Sequence, residues 1–297
     1  MPAPLTLTPE NRAHGSMLLY AFLISTSFPV GKAITYQIDP VVVTFLRFAI
    51  ASAVFYVLLA SNEKVTLPKL KDFLRYGVIS LSMLVFFILM FEALKLTTPV
   101  KTGAIFTLLP LTSGLIGFLV MQIRMSAVQV TALIIGSMGA TWVLFDGSLS
   151  ALLAFDVGRG EVLFALGTLS FATYAPMVKL LHRGESVLSM TFWVLVSGTV
   201  ILGLFGAPLL VATDWSEVRM PAYMGVAYLA LFNTAGTFFL AKYASLLLPP
   251  AKVMAYTYLT PGFVVMFAAY TTGPPTLSVL AGIGITMLAM LLLHRTS

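Results

Sequence analysis

Apolar residues run along this chain in long blocks, and short polar breaks separate them. A helix that crosses about 30 Å of hydrocarbon needs about 20 mostly apolar residues. Measured this way, the blocks predict ten helices, at residues 15–36, 40–60, 73–94, 99–122, 126–146, 159–181, 187–208, 221–246, 250–272 and 275–294. Connections between them are short. The two longest lie at Gly147–Gly158 and Leu209–Met220, and neither has room for a soluble domain.

Composition agrees with an all-α membrane protein. Of 297 residues, 59% are hydrophobic and 9% charged, and mean hydropathy is +0.98. A soluble domain of this size needs more charge to cover its surface. Net charge is +6, but the Lys and Arg residues sit in the breaks, where they read as topology signals and not as a nucleic-acid surface. Cysteine is absent, so no disulfide framework exists. The first thirteen residues are polar and Pro-rich, and the run Gly15 to Val30 leads into Gly31 and Lys32 without a small-residue cleavage site. The expectation is a retained first helix.

With the N-terminus cytoplasmic, the inside ends hold Arg12, Lys64, Lys69, Lys71, Arg75, Arg124, Lys179, Arg183, Lys242, Lys252 and Arg295. The outside ends hold Lys32, Lys95, Lys101, Arg159 and Arg219, and Arg47 lies within a span. Eleven against five places both termini in the cytoplasm.

The chain also repeats itself. Pro29-Val-Gly-Lys32 in the first helix and Pro176-Met-Val-Lys179 in the sixth lie 147 residues apart, as do Thr44-Phe45 and Thr191-Phe192. Pro99, Lys101 and Pro110 in the fourth helix match Pro250, Lys252 and Pro261 in the ninth at an offset of 151. The longer Leu209–Met220 connection accommodates the difference. Residues 15–146 and 159–294 therefore read as two copies of a five-helix unit. Five is odd, so the copies cross in opposite senses, the inverted repeat of alternating-access carriers.

The stretches Asp39 to Phe55, with Phe-Leu-Arg, and Thr98 to Val120, with a helix-four Pro-Leu, resemble the drug/metabolite transporter superfamily with two EamA-type halves. The Gly-rich fifth and tenth helices, with Gly136, Gly139, Gly282 and Gly284, fit the same pattern. Within the superfamily the chain looks most like the YddG-type exporters of aromatic and other amino acids. One departure stands out: Gln122 occupies the region where many such halves end helix four near a Glu. The resemblance implies a bacterial inner-membrane exporter of small metabolites, amino acids included. A monomer in the lipid bilayer suffices, and no cofactor is implied.

Candidate residues follow from polarity at depth. Pro29, Pro110, Pro176 and Pro261 each remove a backbone donor inside a helix and are expected to bend it. Arg47 lies eight residues into helix two, about 12 Å deep at about 1.5 Å per residue, and a charge there is a functional candidate. A structural Arg bonded to neighbouring carbonyls is the equal alternative, since Val194 stands at the matching position. Ser27, Ser170, Tyr174, Asn233, Thr237, Tyr256 and Tyr258, with Met83 and Phe87, would give a cavity with aromatic, Met and hydroxyl walls. Such walls suit a small, partly apolar zwitterion. Helices one, three, four, six, eight and nine are expected to line it, with five and ten outside. Tyr20 is expected in the interfacial belt.

An intramembrane enzyme is disfavoured. Asp39, Asp72 and Asp146 fall at span ends, as do His14, His182 and His294, and no metal cluster or phosphate loop is present. A channel would show a ring of like charge or a filter sequence. All eleven carboxylates fall at span ends or in connections, which favours facilitated diffusion over proton coupling. The alternative is a proton-coupled exporter of cationic drugs.

Overall fold

The computed structural model describes residues 8–272 and 274–295. Among the described residues the chain is helical nearly throughout and contains no strand. The polar breaks do more than interrupt hydrophobicity, because several of them cap helices. Thr8 accepts from the Asn11 N–H to open α1 (Pro9–Ile34), and Asp39 accepts from the Val41 N–H to open α2 (Pro40–Asn62). In both, Pro takes the first helical position, where its missing donor costs nothing. This cap starts α1 six residues before the expected start at 15.

α3 (Leu70–Leu96) is continuous. The fourth segment divides into α4 (Pro99–Phe106) and α5 (Leu109–Met121). Gln122 closes α5 in the left-handed region at φ 57°, with its N–H bonded to the Gly117 and Phe118 carbonyls. A capping box of Ser126 and Gln129 opens α6 (Ala127–Leu144). The connection expected at Gly147–Gly158 contains a short turn of helix, α7 (Leu149–Leu153), capped by Ser148.

In the second half, α8 (Arg159–Ala172) and α9 (Tyr174–Leu181) form the sixth segment. α10 (Val187–Ala212) runs through Pro208, past the expected end at 208, and leaves residues 213–219 as the connection. The eighth segment joins α11 (Met220–Tyr228), a π-helix (Leu229–Gly236) and α12 (Thr237–Leu247). The ninth joins α13 (Pro250–Ala255), a 3-10 turn (Tyr256–Leu259) and α14 (Thr260–Thr272). α15 (Leu277–Arg295) is last.

Eight segments are long and apolar enough to cross a bilayer, from Pro9–Ile34 through Met220–Leu247. The ninth expected span, in pieces of 6, 4 and 13 residues, is not among these eight. The tenth offers the shorter apolar stretch Leu277–Leu293. The expected ten spans are thus eight by length and composition among the described residues.

Packing follows the repeat. α2 lies against α10, α6 against α15, and α5 against α13, so the second, fifth and fourth segments each touch their own counterpart. α3 packs on α8 and α1 on α12, which is one contact made twice, since the sixth segment is the counterpart of the first and the eighth of the third. Ser52 and Thr199, which are 147 residues apart, touch hydroxyl to hydroxyl at 3.3 Å. At the α6–α15 contact, a Cβ on Gly139 would meet the Gly282 carbonyl at 3.0 Å, and one on Gly282 would meet the Gly139 carbonyl at 3.2 Å. Each glycine admits the other's backbone, as small residues do between membrane helices.

Candidate functional site

The backbone breaks occur at matching places. In the fourth segment the α-helical pattern lapses at Thr107 and Leu108, and the Leu108 N–H reaches only to the Ile105 carbonyl. In the ninth the 3-10 turn spans Tyr256–Leu259. Pro110 and Pro261 follow these breaks at equivalent positions, where each lacks the N–H that would have continued the ladder. In the sixth segment the lapse is at Thr173, three residues before Pro176. Thr173 donates its hydroxyl to the Ser170 carbonyl at 2.7 Å, and its counterpart Thr26 donates to the Leu23 carbonyl at 2.6 Å. α1 nevertheless stays continuous through Pro29.

Between the halves lies a central cavity with about 20 Å³ of free volume, room for about one water. Its wall comes from Tyr20, Ile24 and Ser27 on α1, Met83, Phe86, Phe87 and Met90 on α3, and Phe106 on α4. Phe171 on α8, Asn233 in the π-helix, and Thr237 and Phe238 on α12 complete it. Stacked rings fill one side. Phe86 and Phe171 lie 4.7 Å apart at 17°, and Phe106 and Phe171 lie 6.0 Å apart at 12°. Phe106 also walls a second cavity of about 170 Å³, shared with Pro29, Thr257, Thr260 and Pro261. The ninth segment, expected on the central cavity, borders this neighbouring one.

A polar strip runs along the π-helix. Thr26 receives the Tyr228 hydroxyl at 2.8 Å and lies 3.3 Å from the Asn233 amide nitrogen. Thr237 donates to the Asn233 carbonyl at 2.7 Å. Thr234 accepts from Arg47 Nε at 3.0 Å. The Arg47 guanidinium is fully buried, with its carbon 4.1 Å from the Phe87 ring centre and 5.7 Å from that of Phe91. Among the sequence-predicted residues, the cavity wall brings together Ser27, Met83, Phe87, Asn233 and Thr237, with Arg47 directly behind Phe87.

The other candidates lie elsewhere. Tyr174 is fully buried against Phe171 and Phe238, with ring centres 6.2 and 6.1 Å away. Ser170 donates to the Ser82 carbonyl at 3.2 Å and ties α8 to α3. The Tyr256 hydroxyl meets His14 Nδ1 at 2.6 Å, near the start of α1. Tyr258 donates to the Leu133 carbonyl at 2.8 Å, against α6.

Two placements correct the sequence reading. Tyr20 is 1% exposed and lines the cavity, so it is no interfacial anchor. Lys242 is fully buried in α12 and donates to the Met190 carbonyl at 3.3 Å, so it is no exposed loop cation. Periodicity could have raised Tyr20 as a candidate, because it stands one helical face from Ile24 and Ser27. Phe106, Phe171 and Phe238 gave no sequence signal, since an aromatic in an apolar run looks the same on every face.

At opposite ends of α3, charged groups join the two halves. At its start Arg75 pairs with Glu185 at 2.9 Å and with Asp72 at 3.5 Å, and Arg183 reaches Asp72 at 3.4 Å. Past its end, Glu161 accepts from the Thr97 hydroxyl and faces Lys101 at 3.6 Å. Among the described residues no His, Cys, Asp or Glu cluster could hold a metal ion.

Apolar membrane-length helices around a small central cavity between two matched halves fit a membrane transporter. The EamA-like transporter family matches residues 12–145 and 158–295. The chain belongs to that family, within the drug/metabolite transporter superfamily. It is 22% identical over 220 residues to the "Uncharacterized transporter YyaM" of Bacillus subtilis (strain 168), covering 73% of this chain and 72% of that protein. A solved structure described as "Crystal structure of protein" shares the fold with a TM-score of 0.74 at 15% identity, covering 94% of this chain and 96% of that one.

Proposed function

We propose that this transporter is a bacterial inner-membrane carrier that exports small metabolites, most readily amino acids including aromatic ones, by alternating access. The observation that supports this reading most is the central cavity itself. It lies between the halves, about 20 Å³ in volume, with mostly aromatic and Met walls into which Ser27, Asn233 and Thr237 bring a few polar groups. An amino acid with an apolar side chain combines a large apolar part with a few polar groups in the same way.

Halves at 15–146 and 159–294, crossing in opposite senses with both termini cytoplasmic, would exchange the roles of the two charged clusters on α3. One opens while the other holds. Each cluster links the halves through largely buried charged groups at helix ends, so that opening one end would break its pair. The symmetric breaks at Pro110 and Pro261 supply bends on which the bundles rock. With carboxylates at the segment ends, direction follows the substrate gradient, and the mode is facilitated diffusion.

Counterflow in proteoliposomes tests the reading. Vesicles preloaded with unlabelled phenylalanine or methionine should accumulate the labelled amino acid transiently and saturably. Uphill accumulation driven by a pH gradient at matched membrane potential contradicts facilitated diffusion. Flux that neither saturates nor shows counterflow contradicts a carrier.

A further inference from the structure

We infer that Arg47 binds the carboxylate of the transported molecule, an inference that rests on the carrier reading above and narrows its substrate class. The guanidinium has five donors, and the structure accounts for one of them: Nε bonds Thr234 at 3.0 Å. Nη1 and Nη2 are buried and have no hydrogen-bond partner in the protein. Among the described residues, which include all eleven carboxylates, none forms an ion pair with Arg47. A buried cation without a counter-charge is costly, and inside a membrane it marks a site where a partner arrives.

The geometry says which partner and from where. The two terminal nitrogens of one guanidinium match the two oxygens of a carboxylate in a fork that a lone ammonium cannot offer. Phe87 covers the guanidinium face at 4.1 Å and is itself part of the cavity wall. Asn233, next in sequence to the Thr234 that holds Nε, is in the same wall. Arg47 is therefore one side chain away from the cavity, positioned by Thr234 and screened by Phe87. A turn of the Phe87 ring joins the charge to the cavity. The substrate supplies the missing counter-charge, so a compound lacking an anionic group is discriminated against.

The test uses the full chain purified in detergent and the shift of its melting temperature as the readout of binding. The probes are phenylalanine, phenylalanine amide, phenethylamine and phenylacetate. The expected result is that phenylalanine stabilises the wild type while the amide and phenethylamine, which keep the ring and the amino group, do not. In Arg47→Lys and Arg47→Met the apparent affinity for phenylalanine falls by about tenfold or more, the scale of a charge-assisted hydrogen bond. If either variant does not fold, the comparison of acid with amide on the wild type decides alone.

Equal stabilisation by acid and amide overturns the inference and leaves a carrier of amino compounds standing. Stabilisation by phenylacetate as strong as by phenylalanine supports the anchor and removes the amino-acid restriction instead. No shift with either carboxylate overturns the anchor, and counterflow then decides separately whether amino acids are carried.

Discussion

Arg47 and Val194 occupy matching positions 147 residues apart, and both are fully buried, yet one is a cation and the other aliphatic. Their surroundings differ in the same sense. Arg47 meets an eighth segment that unwinds into a π-helix at Leu229–Gly236, while the third segment, its counterpart, is one unbroken helix. In other places the halves agree, although α1 is continuous where the sixth segment lapses at Thr173. The fourth and ninth segments break at equivalent residues, and Thr26 and Thr173 make the same hydroxyl bond. What the halves share is mechanical: bends and helix contacts. What they do not share lies around the cavity, and π-helical turns are frequent at functional sites.

The largest effects should come from breaking the shared contacts. Gly139→Leu forces a side chain where a Cβ alone would stand 2.8 Å from the Thr286 hydroxyl and 3.0 Å from the Gly282 carbonyl. Overpacking of this kind costs about 1–3 kcal/mol or more, and here the obstacle is backbone. Folded yield in detergent should collapse. Gly284→Leu, on the facing helix α15 with nothing within 4 Å, should leave it near wild type. Equal yields for the two would mean that the α6–α15 contact does not hold the halves together.

The unshared position gives the next effect. Val194→Arg places a second cation at a buried site with no built partner, a cost of about 3–5 kcal/mol when a buried charge is left uncompensated. Melting temperature should fall sharply. Arg47→Met removes a buried charge and should keep or raise stability, while transport of a carboxylate substrate drops. A fall in melting temperature for Arg47→Met as large as that for Val194→Arg would make Arg47 a structural residue.

Much of this plan was legible in the sequence because it is written in residue types with few alternatives. Pro110, Pro176 and Pro261 each lie close to a break, since Pro alone lacks the backbone donor, whereas α1 runs unbroken through Pro29. Arg47 was visible because charge inside an apolar run is rare. The eighth segment was different. Nothing in Leu229 to Gly236 distinguishes a π register from an α one, because the register is set by packing against α1 and α2. The aromatic wall at Phe106, Phe171 and Phe238 was hidden for a related reason: a phenylalanine facing lipid and one facing a cavity satisfy the same hydrophobic term. Tyr256 and Tyr258 were plausible by composition, but the 3-10 turn points them at His14 and Leu133.

The clusters at the two ends of α3 sharpen the comparison at a smaller scale. Glu185→Gln weakens the link to Arg75 at one end, and Glu161→Gln weakens the link to Lys101 and Thr97 at the other. Arg75, Glu185 and Glu161 are largely buried, so an amide in place of either carboxylate should cost about 1–3 kcal/mol and move the balance between states by about fivefold or more. The readout is labelling of Ser27→Cys by an impermeant thiol reagent in vesicles of each orientation, and the absence of native cysteine keeps it clean. The two variants should raise labelling from opposite faces. A rise from the same face for both would break the two-gate arrangement.

The smallest effect tests the symmetry itself. Ser52 and Thr199 meet at 3.3 Å with either able to donate by distance alone. Thr199 also bonds the Leu195 carbonyl at 2.9 Å, an acceptor that requires the threonine's only hydroxyl proton. Ser52 must therefore be the donor across this contact and Thr199 the acceptor. The two counterparts, alike in sequence position, have unlike roles. Thr199→Ala strands the Ser52 donor at a site only 9% exposed, which costs about 1 kcal/mol for an unsatisfied group. Ser52→Ala leaves Thr199 with its carbonyl bond and should cost less, a few tenths of a kcal/mol by comparison with about 0.6 kcal/mol for an average hydrogen bond between membrane helices. Reversible unfolding of the two single variants and the double variant gives both values and their coupling. A coupling of zero would show that the two hydroxyls do not bond each other. A larger loss for Ser52→Ala would reverse the assignment of donor and acceptor while leaving the contact in place.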